Sequence, residues 1–275
     1  MNDTATQFTF LTPSKINATS FEGGVFLFTG NYAAGKSYLA GDACAYYHNL
    51  GKRFLYFNVG GEDGQTSAMR TEFAHLEYPA FIDVPSSPGA LRECPIMAKE
   101  IGAHITIVDS LTQVYRIAEE VTTKGIEPPK IGKQDNEWLQ IHMDFDKIMR
   151  YLKDMSEIVI FLCPADLGAD QIMSKEKDLD EKSSQSMSNK MIVPDLPGKL
   201  ASRVLSYCDL AGYIKADYLE SQSKMQRRMC FTNPNKYKVR QRLPKEITYD
   251  ILLPQGPGGW EKILGEIQKA YGQSI

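Results

Sequence analysis

The sequence is poor in the residues that build metal centres and disulfide frameworks: 275 residues carry four histidines and five cysteines. Cys44, Cys94, Cys163, Cys208 and Cys230 are odd in number, widely spaced and mostly set in apolar segments, which predicts buried reduced thiols and excludes a disulfide scaffold. His48, His75, His104 and His142 never pair at ligand spacing, so no structural zinc is expected. Long apolar runs are also missing, since none approaches the roughly 20 residues that span a bilayer. Residues 1–20 lack a basic region followed by an apolar core, and the expectation is a cytoplasmic protein with no membrane partner. An excess of one charge is absent too. A net charge of −3 and a pI near 5.9 give no global electrostatic case for nucleic acid or an anionic membrane, so any such binding must be local. No internal repeat is apparent.

What is present is a core and one specific motif. Hydrophobic residues make up 43% of the chain, enough for one α/β domain with additions or two small ones. The stretch Gly24-Val25-Phe26-Leu27-Phe28-Thr29-Gly30 reads as a buried strand, and Gly30 and Gly35 then bracket four residues ahead of Lys36-Ser37. That is the GxxxxGK[ST] spacing of a phosphate-binding loop. Small residues let consecutive N–H groups curl around phosphate oxygens, Lys36 brings a cation to the outer phosphates, and Ser37 offers a hydroxyl to Mg²⁺. Leu39, Ala43, Tyr46 or Tyr47 and Leu50 recur at helical spacing behind the loop, with Gly51 as the stop.

Further along, Arg53 to Val59 reads as a second strand ending in Gly60-Gly61-Glu62-Asp63-Gly64. Ligands in open α/β sheets bind outside the carboxyl ends of the strands, so Glu62 stands where a carboxylate orients the water that attacks a γ-phosphate; a solvated turn is the equal alternative. A helix over Gln65 to Leu76, a strand over Phe81 to Val84 and a helix over Pro88 to Ile101 continue a βαβα alternation, which predicts a mainly parallel sheet. His104 to Ser110 is an apolar strand whose Asp109 is the natural partner of Ser37 in a Mg²⁺ shell. Residues 122–133, rich in Gly, Pro and Lys, read as a loop. From Asp135, the residues Trp138, Ile141, Phe145, Ile148, Leu152 and Met155 make one helical stripe. Glu157 to Cys163 is the next buried strand, closed by Pro164-Ala165-Asp166, where Asp166 either senses the nucleotide or, the preferred reading, caps a turn. Residues 167–193 are polar. Tyr207 to Ile214 is a strand; Arg227 to Thr232 is expected to pair with a strand beginning near Lys236; and Trp260, Ile263, Leu264, Ile267 and Tyr271 mark a terminal amphipathic helix.

The order of these motifs resembles that of the RecA-like ATPases, and within them the compact phage-type family associated with recombination and single-strand annealing. The similarity spans roughly residues 20–254 and rests on Gly30 to Ser37, Glu62, Val108-Asp109-Ser110-Leu111-Thr112, Pro194-Asp195-Leu196-Pro197-Gly198-Lys199, Cys208-Asp209, and Val239-Arg240-Gln241-Arg242. The resemblance implies an α/β RecA-like core over residues 21–254, its mainly parallel sheet flanked by helices with an antiparallel C-terminal edge. Residues 1–20 would be an N-terminal arm or edge strand and 255–275 a C-terminal helix. It implies ATP and Mg²⁺, with Gly30, Asn31, Tyr32, Ala33, Ala34, Gly35, Lys36, Ser37 and Tyr38 around the nucleotide, Ser37 and Asp109 at the metal, and Glu62 and Lys36 in catalysis. Arg240 and Arg242 match a basic pair that reaches the γ-phosphate of the adjacent subunit, with a solvated basic face as the alternative. The implied partners are single-stranded DNA and further copies of the chain, and a phage-encoded member would work in the bacterial host cytoplasm.

Charge does not single out a DNA channel. Lys124, Lys130 and Lys133 are offset by Glu119, Glu120, Glu127 and Asp135, and the segment 166–197 is net acidic. Three other functions fit the motifs: a hexameric helicase-like motor, a nucleotide-binding regulator with little turnover, and a small-molecule kinase. The kinase needs a lid bearing several arginines, whereas residues 167–193 contain none.

Overall fold

The computed structural model describes residues 21–60, 72–76, 80–123, 135–167, 191–219, 224–232 and 236–273. Its strands are β1 (Gly24–Gly30), β2 (Phe54–Val59), β3 (Phe81–Val84), β4 (Ile105–Asp109), β5 (Ile158–Leu167), β6 (Ile192–Pro194), β7 (Leu210–Leu219), β8 (Lys224–Cys230), β9 (Arg240–Gln241) and β10 (Ile251–Leu253). The helices are α1 (Lys36–Asn49), α2 (Pro88–Ile101), α3 (Leu111–Thr123), α4 (Asp135–Leu152), the single turn α5 (Leu200–Arg203) with a 3₁₀ turn over Val204–Tyr207, and α6 (Gly259–Ala270). The sheet runs β10-β8-β7-β1-β5-β4-β2-β3, with β6 beside β5 and β9 beside β7. Strands β7, β1, β5, β4, β2 and β3 pair in parallel, and β8, β10 and β9 add antiparallel neighbours at the C-terminal edge. This is the mixed α/β layout, mainly parallel and flanked by helices, that the sequence predicts.

Period-2 alternation splits the core between the two faces of that sheet. Phe26 and Phe28 of β1 pack with Leu39 and Ala43 of α1 and with Trp260, Ile263 and Ile267 of α6. Leu27 between them faces the other way, into the cluster built from α2, α3, α4 and α5. With helices on both faces a central strand is covered along its length: all five residues of β4 are buried, Thr106 and Asp109 included. Within each layer a buried carboxylate ties elements together. Asp146 of α4 accepts from Tyr207 at 2.9 Å and pairs with Arg203, and Asp42 of α1 accepts from the backbone N–H groups of Gly258 at 2.9 Å and Trp260 at 2.8 Å.

Several local expectations change. Arg227 to Cys230 pairs not with residues near Lys236 but with β7, through Ile214↔Met229 and Ala216↔Arg227, and with β10 on its other side. Gly212 makes this possible, because a Cβ there would lie 2.5 Å from Phe231 Cε1 and 2.6 Å from Met229 Sδ. Pro164 to Asp166 does not turn: β5 continues to Leu167 and pairs antiparallel with β6, Asp166 opposite Val193. Helix α3 runs two residues past Val121, the hydroxyls of Thr122 and Thr123 donating to the carbonyls of Ala118 and Glu119. Of the helix expected over Gln65 to Leu76, the described residues 72–76 form turns, with Phe73 and Leu76 buried. Residues 1–20, 124–134 and 168–190 lie outside the described residues.

All five cysteines are buried free thiols. Burial pushes the thiols of Cys94, Cys163 and Cys230 up to about 12, far from the thiolate range in which cysteine is a nucleophile. Among the described residues, no helix is long and apolar enough to cross a membrane, and no cluster of His, Cys, Asp and Glu has a metal-binding arrangement.

Candidate nucleotide site

The site is built where β1 meets α1. Beneath it, Thr29 donates to the carbonyl of Gly212 at 3.2 Å, which fixes the tip of β1 to β7. The chain leaves the sheet at Gly30, whose missing side chain matters because a Cβ would sit 2.9 Å from the carbonyl oxygen of Ile214. It then turns back through two left-handed residues, Ala33 at φ 61° and Gly35 at φ 97°, before the helix begins at Lys36. Ala34 is buried as the pivot, while Asn31, Tyr32 and Ala33 are exposed. A helix's first turn leaves backbone N–H groups without intrahelical acceptors, so this bend aims donors at the concave side of the loop. The Lys36 ammonium lies across the same concavity, donating to the carbonyls of Gly30 at 2.8 Å and Asn31 at 3.0 Å.

Beside the loop, β4 ends on Asp109, which is 3% exposed. Its Oδ2 accepts from the Ser37 hydroxyl at 3.0 Å and from the Tyr56 hydroxyl at 2.6 Å. Tyr56 comes from the same face of β2, and burial, followed by the adjacent Asp109 carboxylate, drives its phenol well above the usual tyrosine range, so that it stays a donor. A hydroxyl and a carboxylate held together at the mouth of a phosphate loop form an all-oxygen donor set, the type preferred by a hard divalent cation. Next to Asp109 in register, Asn58 donates from Nδ2 to Asp83 at 2.8 Å; its Oδ1 is buried and meets no donor among the described residues.

On the loop's other flank, Tyr38 packs against Phe73 with ring centroids 5.4 Å apart. The guanidinium carbon of Arg227 stands 6.0 Å from the Tyr38 ring centroid. Burial and the neighbouring acids Glu72 and Asp42 raise the Tyr38 phenol, and Arg227 pulls against them.

The structure therefore brings Gly30, Gly35, Lys36, Ser37, Tyr38 and Asp109 to one place. Glu62 lies outside the described residues. Arg240 and Arg242 lie elsewhere: Arg240 pairs with Ala211, which pairs with Leu27, three residues and so about 10 Å short of Gly30 along the strand. Their guanidinium groups donate to the carbonyls of Leu205 at 3.2 Å and Ser206 at 2.8 Å, and Arg242 stands 3.7 Å from the carboxylate of Asp209. Tyr56, Asn58 and Arg227 were not singled out in the sequence. The signal for Arg227 was available, since adjacent residues of a strand face opposite ways and one of Arg227 and Arg228 had to point into a helix-covered face.

No family model and no curated protein sequence matches the chain. Solved structures do. A KaiC-like protein from the hyperthermophilic archaeon Pyrococcus horikoshii OT3 aligns at 14% identity over 86% of this chain and 88% of its own, with a TM-score of 0.48. The flagellar accessory protein FlaH from Methanocaldococcus jannaschii aligns at 10% identity over 86% of this chain and 87% of its own, with a TM-score of 0.42.

Proposed function

We propose that this chain binds and hydrolyses ATP with Mg²⁺ on a RecA-like core. The observation that carries the reading is the Ser37 hydroxyl 3.0 Å from the buried carboxylate of Asp109, at the mouth of a loop bent through Ala33 and Gly35. Ser37 and Asp109 would hold the cation, which offsets negative charge on the outer phosphates when bound. The Lys36 ammonium supplies a second positive charge from the loop itself, and Glu62 is the candidate to orient the attacking water. Gly30, Asn31, Tyr32, Ala33, Ala34, Gly35 and Tyr38 complete the cradle.

The finer reading is a homo-oligomer that acts on single-stranded DNA in recombination or annealing; its support is the order of motifs shared with the phage-type family. Arg240 and Arg242 enter this reading as donors to a neighbour's γ-phosphate, because about 10 Å of strand separates the level of Arg240 from its own loop. A positive charge supplied in trans raises turnover by roughly 10³-fold or more. The deciding experiment measures ATP hydrolysis with and without Mg²⁺ and single-stranded DNA, alongside particle mass in the presence of nucleotide. Hydrolysis that needs Mg²⁺ and nucleotide-dependent assembly are expected. Absence of nucleotide binding by the wild-type chain removes the reading altogether, and binding without turnover leaves the regulator. For the shared site, mixing Arg240→Ala with Lys36→Ala protein should restore activity at hybrid interfaces; no rescue returns both arginines to a solvated surface.

A further inference from the structure

We infer that Arg227 is a nucleotide-binding residue whose guanidinium engages the phosphate nearest the nucleoside, from the flank of the loop opposite Ser37 and Asp109. The inference rests on the ATP-site reading above and adds to it the direction in which the nucleotide lies.

Position comes first. Arg227 pairs with Ala216 of β7, two residues beyond Ile214, and Ile214 pairs with Gly30 at the tip of β1. The arginine therefore stands at the level of the phosphate loop. It shares a sheet face with Met229, two residues along β8, and Met229 is buried with Phe28 and Leu39 on the side that α1 covers. Contact follows from this placement: a Cβ on Gly35 would lie 2.9 Å from Arg227 Nε and 3.1 Å from its Cδ, so the loop's second glycine packs directly on the arginine stem.

Saturation comes second. Among the described residues, the buried Nε of Arg227 finds no acceptor and no carboxylate pairs with the guanidinium. A guanidinium has five N–H donors and no acceptor, so the half-buried Arg227, its Nε unpaired, keeps donor capacity at the loop that an anion can use. The ring of Tyr38, 6.0 Å away, is its cation–π partner, which holds the fork in place without neutralising it.

Direction comes third. In the sheet, β5 and then β4 lie on one side of β1, and β7 and then β8 lie on the other. Asp109 and Arg227 thus flank the loop from opposite sides. A cation held by Ser37 and Asp109 draws the outer phosphates toward β4. The phosphate bonded to the ribose is then left on the β8 side, within the province of a group that binds phosphate by a planar fork.

That phosphate is common to ATP and ADP, and the test uses the fact. Calorimetric affinities of the full chain for ATP and for ADP are compared among wild type, Arg227→Ala, Arg227→Lys and Lys36→Ala, with thermal melting of each protein without nucleotide as a check on folding. Arg227→Ala should weaken ATP and ADP by the same factor, roughly 10- to 100-fold for loss of a charged hydrogen bond, and Arg227→Lys should restore part of it. Wild-type affinity of Arg227→Ala for ADP overturns the inference, and so does a loss confined to ATP, which would place the guanidinium at the outer phosphate. If Arg227→Ala does not fold, Arg227→Gln, which keeps a donor without the charge, carries the same comparison. Wild-type protein that binds neither nucleotide would sink the ATP-site reading itself, whereas normal wild-type binding with an indifferent Arg227→Ala sinks only the role of Arg227.

Discussion

On the β4 flank of the phosphate loop, Asp109 accepts from the hydroxyls of Ser37 and Tyr56; on the β8 flank, Arg227 keeps a buried Nε that meets no acceptor among the described residues. The chemistry of the two charges explains the contrast. A carboxylate awaiting a cation can be held meanwhile by hydroxyl donors, and a hydroxyl can rotate and present its lone pairs once the cation arrives. A guanidinium has only donors, and the neighbours of Arg227 include the ring of Tyr38 and the backbone at Gly35. One charge is met by hydroxyl neighbours, while the other leaves its Nε unpaired.

The comparison can be broken most forcefully at the cation that belongs to neither flank. Lys36→Ala should lower turnover by roughly 10³-fold and weaken ATP binding, with little change in melting temperature, because the ammonium donates to carbonyls of its own loop. Steady-state hydrolysis beside a thermal melt checks this, and undiminished turnover would show that the loop is not the site of chemistry. Asp109→Asn comes next, with turnover down by roughly 10²-fold and the dependence on Mg²⁺ concentration moved upward, since an amide offers the cation a weaker, neutral oxygen. An unchanged Mg²⁺ titration would remove Asp109 from the metal.

Smaller effects sharpen the contrast instead. Tyr56→Phe deletes a hydroxyl that donates to Asp109 and should cost about 1.5 to 2 kcal/mol in chemical denaturation. A neutral result would mean that the β4 flank is not held by these hydrogen bonds. Gly35→Ala should cost about 1 to 2 kcal/mol for a side chain at φ 97°, plus whatever Arg227 must yield. Combining it with Arg227→Ala isolates the second part: the double variant should be more stable than the two single losses add up to, and strict additivity would mean that arginine and loop do not press on each other.

What was legible in the sequence was what local physics decides. Val25 to Phe28 is an unbroken apolar run followed by Thr29 and Gly30, and β4 is a largely apolar run ended by Asp109, so both strands and the acid at the tip follow from composition and punctuation. The helix of Ile141, Phe145 and Leu152 follows from its period in the same way. Pairing between distant segments is decided elsewhere. Whether Arg227 to Cys230 joins β7 or a strand near Lys236 turns on the space left by Gly212, which no pattern within β8 reveals. The run through Pro164 to Asp166 looks like a turn until β6 supplies the partner that keeps it extended. Tyr56 looked like one more apolar strand residue; its hydrogen bond to Asp109 arises because β2 and β4 are neighbours in the sheet without being consecutive in the chain. Arg240 and Arg242 matched a motif by spacing, and only the sheet shows them beside Ala211 and Asp209.

The carboxylate of Asp42 has one more implication, for the order in which the molecule is made. It sits on the helix that opens at the phosphate loop, yet the N–H groups that satisfy it belong to Gly258 and Trp260, 216 and 218 positions later. During synthesis from the N-terminus, α1 leaves the ribosome with a carboxylate on its inward face and no donors to receive it, and Trp260, which shields Phe26 and Phe28, has yet to follow. Burying that charge early is unfavourable. Helix α1 therefore waits on α6, and the loop that α1 anchors takes its final form only after Gly258 and Trp260 have been made.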